Sequence, residues 1–474
     1  MLRWLATSRI RDRALLMRLG AYKDPSDLYL DDPKHFKERW LATLAGAIPW
    51  TQYVIAEAQA KANNAWEICE ALAREPDILK CFTEDLGKCG VVGEERAAKV
   101  LYLVFNSRNS DRPVSVAMKG ASASGKSFLV EQILKFFPGS AAYVLSAMSE
   151  RALAYSTEPL SHRYLVIYEA AGLQGDFASY LVRSLLSEGR IRYETVEKTN
   201  AGLRPRLIER EGPTGLIVTT TAVKLHSENE TRLLSIPVTD TAEQTRSIFA
   251  ALASGQHGQD LNLETWHALQ QWLDNAEHDV FIPYAQHLAE LVPPIAVRLR
   301  RDFMVLLSLI RAHAMLHQAS RGRDSEGRIV ATLDDYSQVR NLVADLLSDG
   351  IEATVSTTVR ETVQAVKDIM AGGHEVVTVA QVASTLHLDK ATALRRVRVA
   401  IDRGYLKNLE DRKGRPARLE LGDPMPTDLE ILPTPEKLGG CRVAVKMGGI
   451  VESPPPLGDD AKATNKPADI MEVA

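Results

Sequence analysis

The sequence is poor in the features that announce several whole classes of protein. Its 474 residues hold four cysteines, Cys69, Cys81, Cys89 and Cys441, far apart and without a CxxC pair. That excludes a zinc ribbon and a disulfide scaffold, and it predicts a reducing cytoplasm. No run approaches 18 uninterrupted apolar residues, so no membrane span is predicted and the chain reads as soluble. Neither sign of charge dominates: 57 Lys and Arg against 61 Asp and Glu leave a net charge of −4. A nucleic-acid partner must therefore be argued from local clusters. The Arg-rich start from Met1 to Tyr22 imitates a transit peptide, but Asp12 interrupts it. There is no repeat at solenoid spacing.

What is present is ordinary globular composition, 45% hydrophobic, enough for two or three domains with cores. Apolar residues at three-and-four spacing (Trp40, Leu41, Leu44, Val54, Ile55) predict helices, so residues 1–105 read as a helical N-terminal region. From Val114 the period shortens to two, and buried strands are predicted at Val114 to Met118, Ala142 to Leu145, Tyr164 to Tyr168 and Leu216 to Thr220. Residues 106–255 are thus an α/β layer fold with a mainly parallel sheet. Residues 256–350 read as a helical lid or connector, with Ser320 to Gly327 as a polar loop. A compact module follows at 354–422. Beyond it the prolines multiply and residues 423–474 read as a disordered tail.

The chemistry starts at Gly120-Ala-Ser-Ala-Ser-Gly125-Lys126-Ser127, which meets G-x-x-x-x-G-K-[ST] between a strand and a helix. Glycines and small residues such as Ser122 and Ser124 let amide N–H groups converge into an anion nest at a helix start. Lys126 would bridge the terminal phosphates of ATP, and Ser127 would give its hydroxyl to Mg²⁺. Glu169, closing the run Tyr164 to Tyr168, is the carboxylate expected to orient or deprotonate the attacking water and to serve the metal. Tyr168 stands where an acid is usual. Either Glu169 does both jobs, or a nearby acid such as Asp176 helps, or turnover is slow. Thr220 or Thr221, ending the strand from Gly215, would touch the water or the terminal phosphate. Arg232, in the polar stretch after that strand, would act as a finger toward a neighbouring subunit's phosphates.

Two basic elements stand out. Alternation on both sides of Asn200-Ala-Gly202 predicts a long hairpin carrying Lys198, Arg190, Arg192, Arg204 and Arg206, suited to nucleic-acid phosphates. Charged exposed strands also serve as edge protection. Near the C-terminus, Val377 to Leu386 and His387 to Arg398 read as a helix-turn-helix, with a basic β wing from Asn408 to Leu421. From Asp389 to Arg418 there are ten Lys and Arg against four Asp and Glu. Lys390, Thr392, Arg395 and Arg396 are placed on the recognition helix, and Arg412, Lys413 and Arg415 at the wing tip. Such a module also docks proteins.

This order of parts resembles the AAA+ helicase core of superfamily 3 and minichromosome-maintenance (MCM) type. Tyr168-Glu-Ala-Ala-Gly, Leu186 to Lys198 and Glu211 to Thr221 are similar to the helicase half of primase-helicase proteins of mobile elements. Lys23-Asp-Pro-Ser-Asp-Leu-Tyr-Leu30 resembles the end of a primase toprim domain, whose metal-binding core has no counterpart here. The resemblance implies an ATP- and Mg²⁺-dependent DNA helicase, a homo-hexamer in which Tyr168 is a family trait, with a separate primase as a further partner. An AAA+ initiator using ATP as an assembly switch is the alternative. A small-molecule P-loop kinase would explain neither hairpin nor wing.

Overall fold

The parallel sheet expected after Val114 is the centre of the larger of two units. The computed structural model describes residues 5, 8, 10–169, 176–200, 202–221, 232–253, 261–294, 298–352, 355–373, 375–410, 412, 415–425, 431–439 and 447–448. These group into two units: one joins the chain up to Leu72 with Glu264–Glu277, and the other comprises Ala73–Leu263 and His278–Ile450. The stretch Glu264–Glu277, expected in the connector, therefore belongs with the N-terminal region. Its helix Glu264–Asn275 packs Trp272 against Trp66 of helix Trp50–Ala73, ring centroids 4.8 Å apart. Helix Pro25–Asp31 begins where the Asp24 carboxylate accepts from the amides of Ser26 and Asp27, with Pro25 in the first turn. The N-terminal region is not wholly helical: Leu15–Leu16 and Ile48–Pro49 pair antiparallel.

In the larger unit, α1 (Glu95–Asn106) precedes β1 (Val116–Lys119), and α2 (Lys126–Leu134) leads to β2 (Ala142–Leu145). Then come β3 (Arg163–Ile167), α3 (Asp176–Glu188), β4 (Arg190–Thr199), β5 (Gly202–Glu211), β6 (Thr214–Thr220), β7 (Leu234–Pro237) and α4 (Ala242–Ala253). The five-stranded sheet has the order β2-β3-β6-β1-β7 with every pair parallel, so the C-terminal ends of all five strands face one edge. The expected α/β class with a parallel sheet is what is found. One face is packed by Leu165, Ile167, Leu216 and Val218 with Leu181 and Leu185 of α3. On the other, Tyr164 lies over Gly215, where an added Cβ would come within 2.1 Å of its ring. Gly215 is thus required by the aromatic ring beside it rather than by its own backbone. The β4–β5 hairpin pairs ten residues with ten, Arg190 opposite Glu211 and Thr199 opposite Gly202.

Helices α5 (Leu299–Leu316) and α6 (Leu333–Glu352) follow. Between them the expected polar loop contains strand Arg323–Asp324, part of a small sheet with Val280–Phe281, Ile329–Val330 and Met447–Gly448. Buried Asp335 ties this region together, meeting His313 Nδ1 at 2.7 Å, Arg321 Nη2 at 2.6 Å and the Thr332 amide at 2.7 Å. The last module holds α7 (Thr357–Ala371), α8 (Val379–Thr385), α9 (Lys390–Asp402), β8 (Leu406–Asn408) and β9 (Leu419–Leu421). Its helices and two-stranded ribbon share a core of Val359, Val363, Val382, Val397, Leu406 and Leu419. A capping box of Thr378 and Gln381 starts α8.

The disordered tail expected from residue 423 does not hold over Ile431–Gly439. Ile431, Leu432 and Leu438 are buried, and the carbonyl of Pro433 accepts from Tyr336 Oη at 2.6 Å and Arg340 Nε at 2.9 Å. Proline raised no barrier there: Pro435 opens a short helix, where its missing N–H is unneeded. Among the described residues no helix is long and apolar enough to cross a membrane.

Candidate nucleotide and nucleic-acid site

The loop between β1 and α2 has the geometry of a phosphate cradle. Ala123 and Gly125 both take left-handed backbone angles, φ 64° and 83°, which curl the loop so that its amides converge. Gly125 meets nothing within 4 Å at its Cβ position, so its requirement is conformational. A Cβ at Gly120 would lie 2.8 Å from Ser124 Oγ, a hydroxyl that would have to rotate to make room. Lys126 opens α2 and is buried, its ammonium donating to the carbonyls of Gly120 (3.0 Å) and Ala121 (2.5 Å) and to Ser124 Oγ (3.2 Å). Those bonds hold the charge across the loop, against the amides that would receive an anion. Ser122 is exposed and Ser127 half-buried in the first turn of α2. These donors fit a nucleotide triphosphate. Mg²⁺ needs only one or two protein ligands beside water and phosphate, so Ser127 suffices although no group of three or more His, Cys, Asp or Glu able to hold a metal occurs among the described residues.

Glu169 emerges from the same edge. The register sets Lys119 level with Thr220, and Ile167 level with Val218 on the far side of β6. The loop and the carboxylate therefore leave the sheet two strand spacings apart, roughly 9–10 Å, which leaves room for phosphate and water. Glu169 is exposed and has φ 65°, a conformation a non-glycine residue holds at a cost of about 1–3 kcal/mol. Its amide donates to Thr219 Oγ1 at 3.0 Å. Of the two threonines expected to touch the attacking water or the terminal phosphate, Thr220 is buried on the face of β6 opposite Thr219, and Thr221 is exposed. Tyr168 is half-buried, and burial followed by the charge of Glu131 pushes its phenol up to about 12. It stays a neutral hydroxyl near neutral pH and so does not replace a carboxylate. The side chain of Asp176, at the start of α3, lies outside the described residues.

A second feature beside the cradle has no counterpart in the sequence reading. The amide of Val238 donates to Lys119 O at 2.8 Å, and the amide of Thr239 donates to Glu94 Oε1 at 2.8 Å, where Gln244 Nε2 also donates at 2.6 Å. Buried Glu94 thereby fastens the start of α1 to the chain leaving β7, and burial pushes the pKa of its carboxyl up from the ordinary value. No local pattern marks this carboxylate, because its partners lie about 150 residues away.

Arg232 lies two residues before β7, at the sheet edge opposite the phosphate loop. Its Nε donates to Ser187 Oγ at 2.9 Å beside a cavity of about 480 Å³ that Arg112, Arg300, Arg301 and Glu188 also line. Burial, then the Arg301 and Arg183 guanidinium groups, lower its basicity. On the hairpin, Lys198 and Arg190 are exposed, whereas Arg192 is ion-paired with Glu209 at 2.8 Å. In the last module, Lys390 and Arg395 lie on the exposed side of α9 and Thr392 is half-buried in its first turn, with Asp389 capping the start. Arg396 does not: it turns toward α7 and pairs with Glu361 at 2.8 Å. Ala393, Val397 and Ala400 define the buried face, and Arg396 flanks it. Arg412 and Arg415 are exposed, and Lys413 lies outside the described residues.

The fold and loop define an α/β protein with a P-loop. No family model and no curated protein matches the chain. Among solved structures it is similar to a full-length MCM homolog from Methanopyrus kandleri, 11% identical with a TM-score of 0.39, the match covering 62% of each chain. It is also similar to the Aeropyrum pernix ORC1 protein in complex with DNA, 12% identical with a TM-score of 0.25, covering 79% of this chain and 96% of that one.

Proposed function

We propose that the chain is an AAA+ ATPase of the replicative kind, which hydrolyses ATP with Mg²⁺ to translocate on and unwind DNA. The observation that carries the reading is the pairing, on one sheet edge, of a complete phosphate cradle with the Glu169 carboxylate two strands away. Gly120, Ser122, Ser124 and Gly125 would wrap the phosphates, with Lys126 moving its donors from loop carbonyls to phosphate oxygens. Ser127 would hold the metal, and Glu169 would orient and deprotonate water. Arg232, facing away from its own cradle, would serve the nucleotide of a neighbouring copy in a homo-hexamer. Lys198 and Arg190 on the hairpin, together with the exposed cations of a C-terminal winged helix, would meet DNA phosphates. The 1–105 region would be the docking point for a separate primase, in a mobile-element replication system.

An assembly-switch initiator is the second reading, favoured by Tyr168, whose neutral phenol leaves Mg²⁺ without the usual second acid. The deciding measurement is ATP hydrolysis with and without DNA, alongside strand displacement on a forked duplex. DNA is expected to stimulate the native chain, and Lys126→Ala is expected to lose at least 100-fold. Hydrolysis without displacement would leave the initiator, and the absence of Mg-ATP hydrolysis would remove the motor.

A further inference from the structure

We propose that Thr219, a residue assigned no role above, is the positioning residue that aims the Glu169 carboxylate; the inference rests on the reading of Glu169 as the group that activates water. Successive amides of a strand point to opposite sides. Tyr168 N–H donates to Leu145 O of β2 at 3.1 Å, so the Glu169 N–H faces the other neighbour, β6. There the acceptor is a side chain: Thr219 Oγ1, at 3.0 Å. Thr219 is 1% exposed and lies on the face of β6 opposite Leu216 and Val218, held between β3 and β1 by register with Met118. At that point the backbone enters its left-handed turn, φ 65°, and the Glu169 side chain leaves the sheet.

A hydroxyl anchored in a central strand thus fixes the one amide that sets the direction of the Glu169 Cα–Cβ bond. Neither Thr220 nor Thr221 is placed to do this, since Thr220 alternates to the other face and Thr221 is exposed. Thr219→Val keeps the shape and removes the acceptor; Thr219→Ser keeps the acceptor.

The test is steady-state Mg-ATP hydrolysis by the full chain. In Thr219→Val, kcat is expected to fall about 10- to 100-fold while KM for ATP stays within about threefold of native, as misaiming a reacting group predicts. Thr219→Ser is expected within about threefold of native in both constants. An unchanged kcat in Thr219→Val, a Ser variant as slow as Val, or a loss appearing in KM would each overturn the proposal. If Val does not give a cooperative melt, Thr219→Ala against Thr219→Ser makes the same comparison. Glu169→Gln separates the two levels: native turnover in that variant removes the role of Glu169, and Thr219's with it. An inactive Glu169→Gln beside a fully active Thr219→Val removes only the role of Thr219.

Discussion

His317 illustrates how burial, more than any one neighbour, decides a residue's chemistry. Its ring centroid lies 4.5 Å from that of His313, the planes tilted by 30°, and the residue is 2% exposed. Burial first, then the neighbouring His313 and Arg321, pull its pKa from 6.5 down to about 3, against smaller opposing pulls from Asp335 and a backbone hydrogen bond at Glu75. The folded form therefore keeps a neutral ring where the unfolded chain would bind a proton. Stability from this group is complete above about pH 6.5 and drains away as pH falls toward 3. Between pH 7 and 5 the loss is about 2 kcal/mol. Denaturant unfolding of the native chain should show that decline, and His317→Gln should lack this share of it. Equal slopes in the two would mean that the ring titrates normally in the folded chain.

At the scale of elements, what could be read in advance follows from how local each signal is. The phosphate loop and the strands around it were legible because alternation, glycine spacing and helix onset lie within one stretch of chain. The end of β6 illustrates the limit: Thr219, Thr220 and the following Thr221 satisfy the same pattern, and only the course of the chain leaving neighbouring β3 singles out Thr219. Glu94 and the packed segment Ile431–Gly439 were out of reach for a related reason, since their partners are distant in sequence. Arg396 is a different case. The apolar phase Ala393, Val397, Ala400 on α9 was available, and it already turned residue 396 toward the core while leaving Arg395 and Arg398 on the outer side. On the winged-helix reading, Arg395→Ala should weaken duplex binding several-fold and lower its salt dependence by about one phosphate contact. Arg396→Ala should leave affinity and salt slope near native, and cost at most about 1 kcal/mol through its exposed pair with Glu361. Fluorescence anisotropy across a salt series distinguishes the two, and equal losses would refute the assignment of faces.

For the whole molecule, the decisive geometry is the separation of Lys126 and Arg232 at opposite edges of one sheet. Strand β1 alone spans four residues, about 13 Å, so a chain cannot bring its own Arg232 to its own phosphate loop without dismantling the sheet. If Arg232 acts on a nucleotide, the nucleotide belongs to another copy, and each working site needs a loop from one chain and an arginine from the next. Mixing therefore becomes diagnostic. Lys126→Ala and Arg232→Ala should each be nearly inactive alone. In an equal mixture that exchanges subunits, about a quarter of the interfaces join an intact loop to an intact arginine, because each chain contributes its sound half with probability one half. Hydrolysis should recover toward about a quarter of native if sites fire independently, and toward less if they fire in sequence around a ring. An arginine serving its own chain would give no recovery at any mixing ratio, since every chain would carry one broken half of its own site.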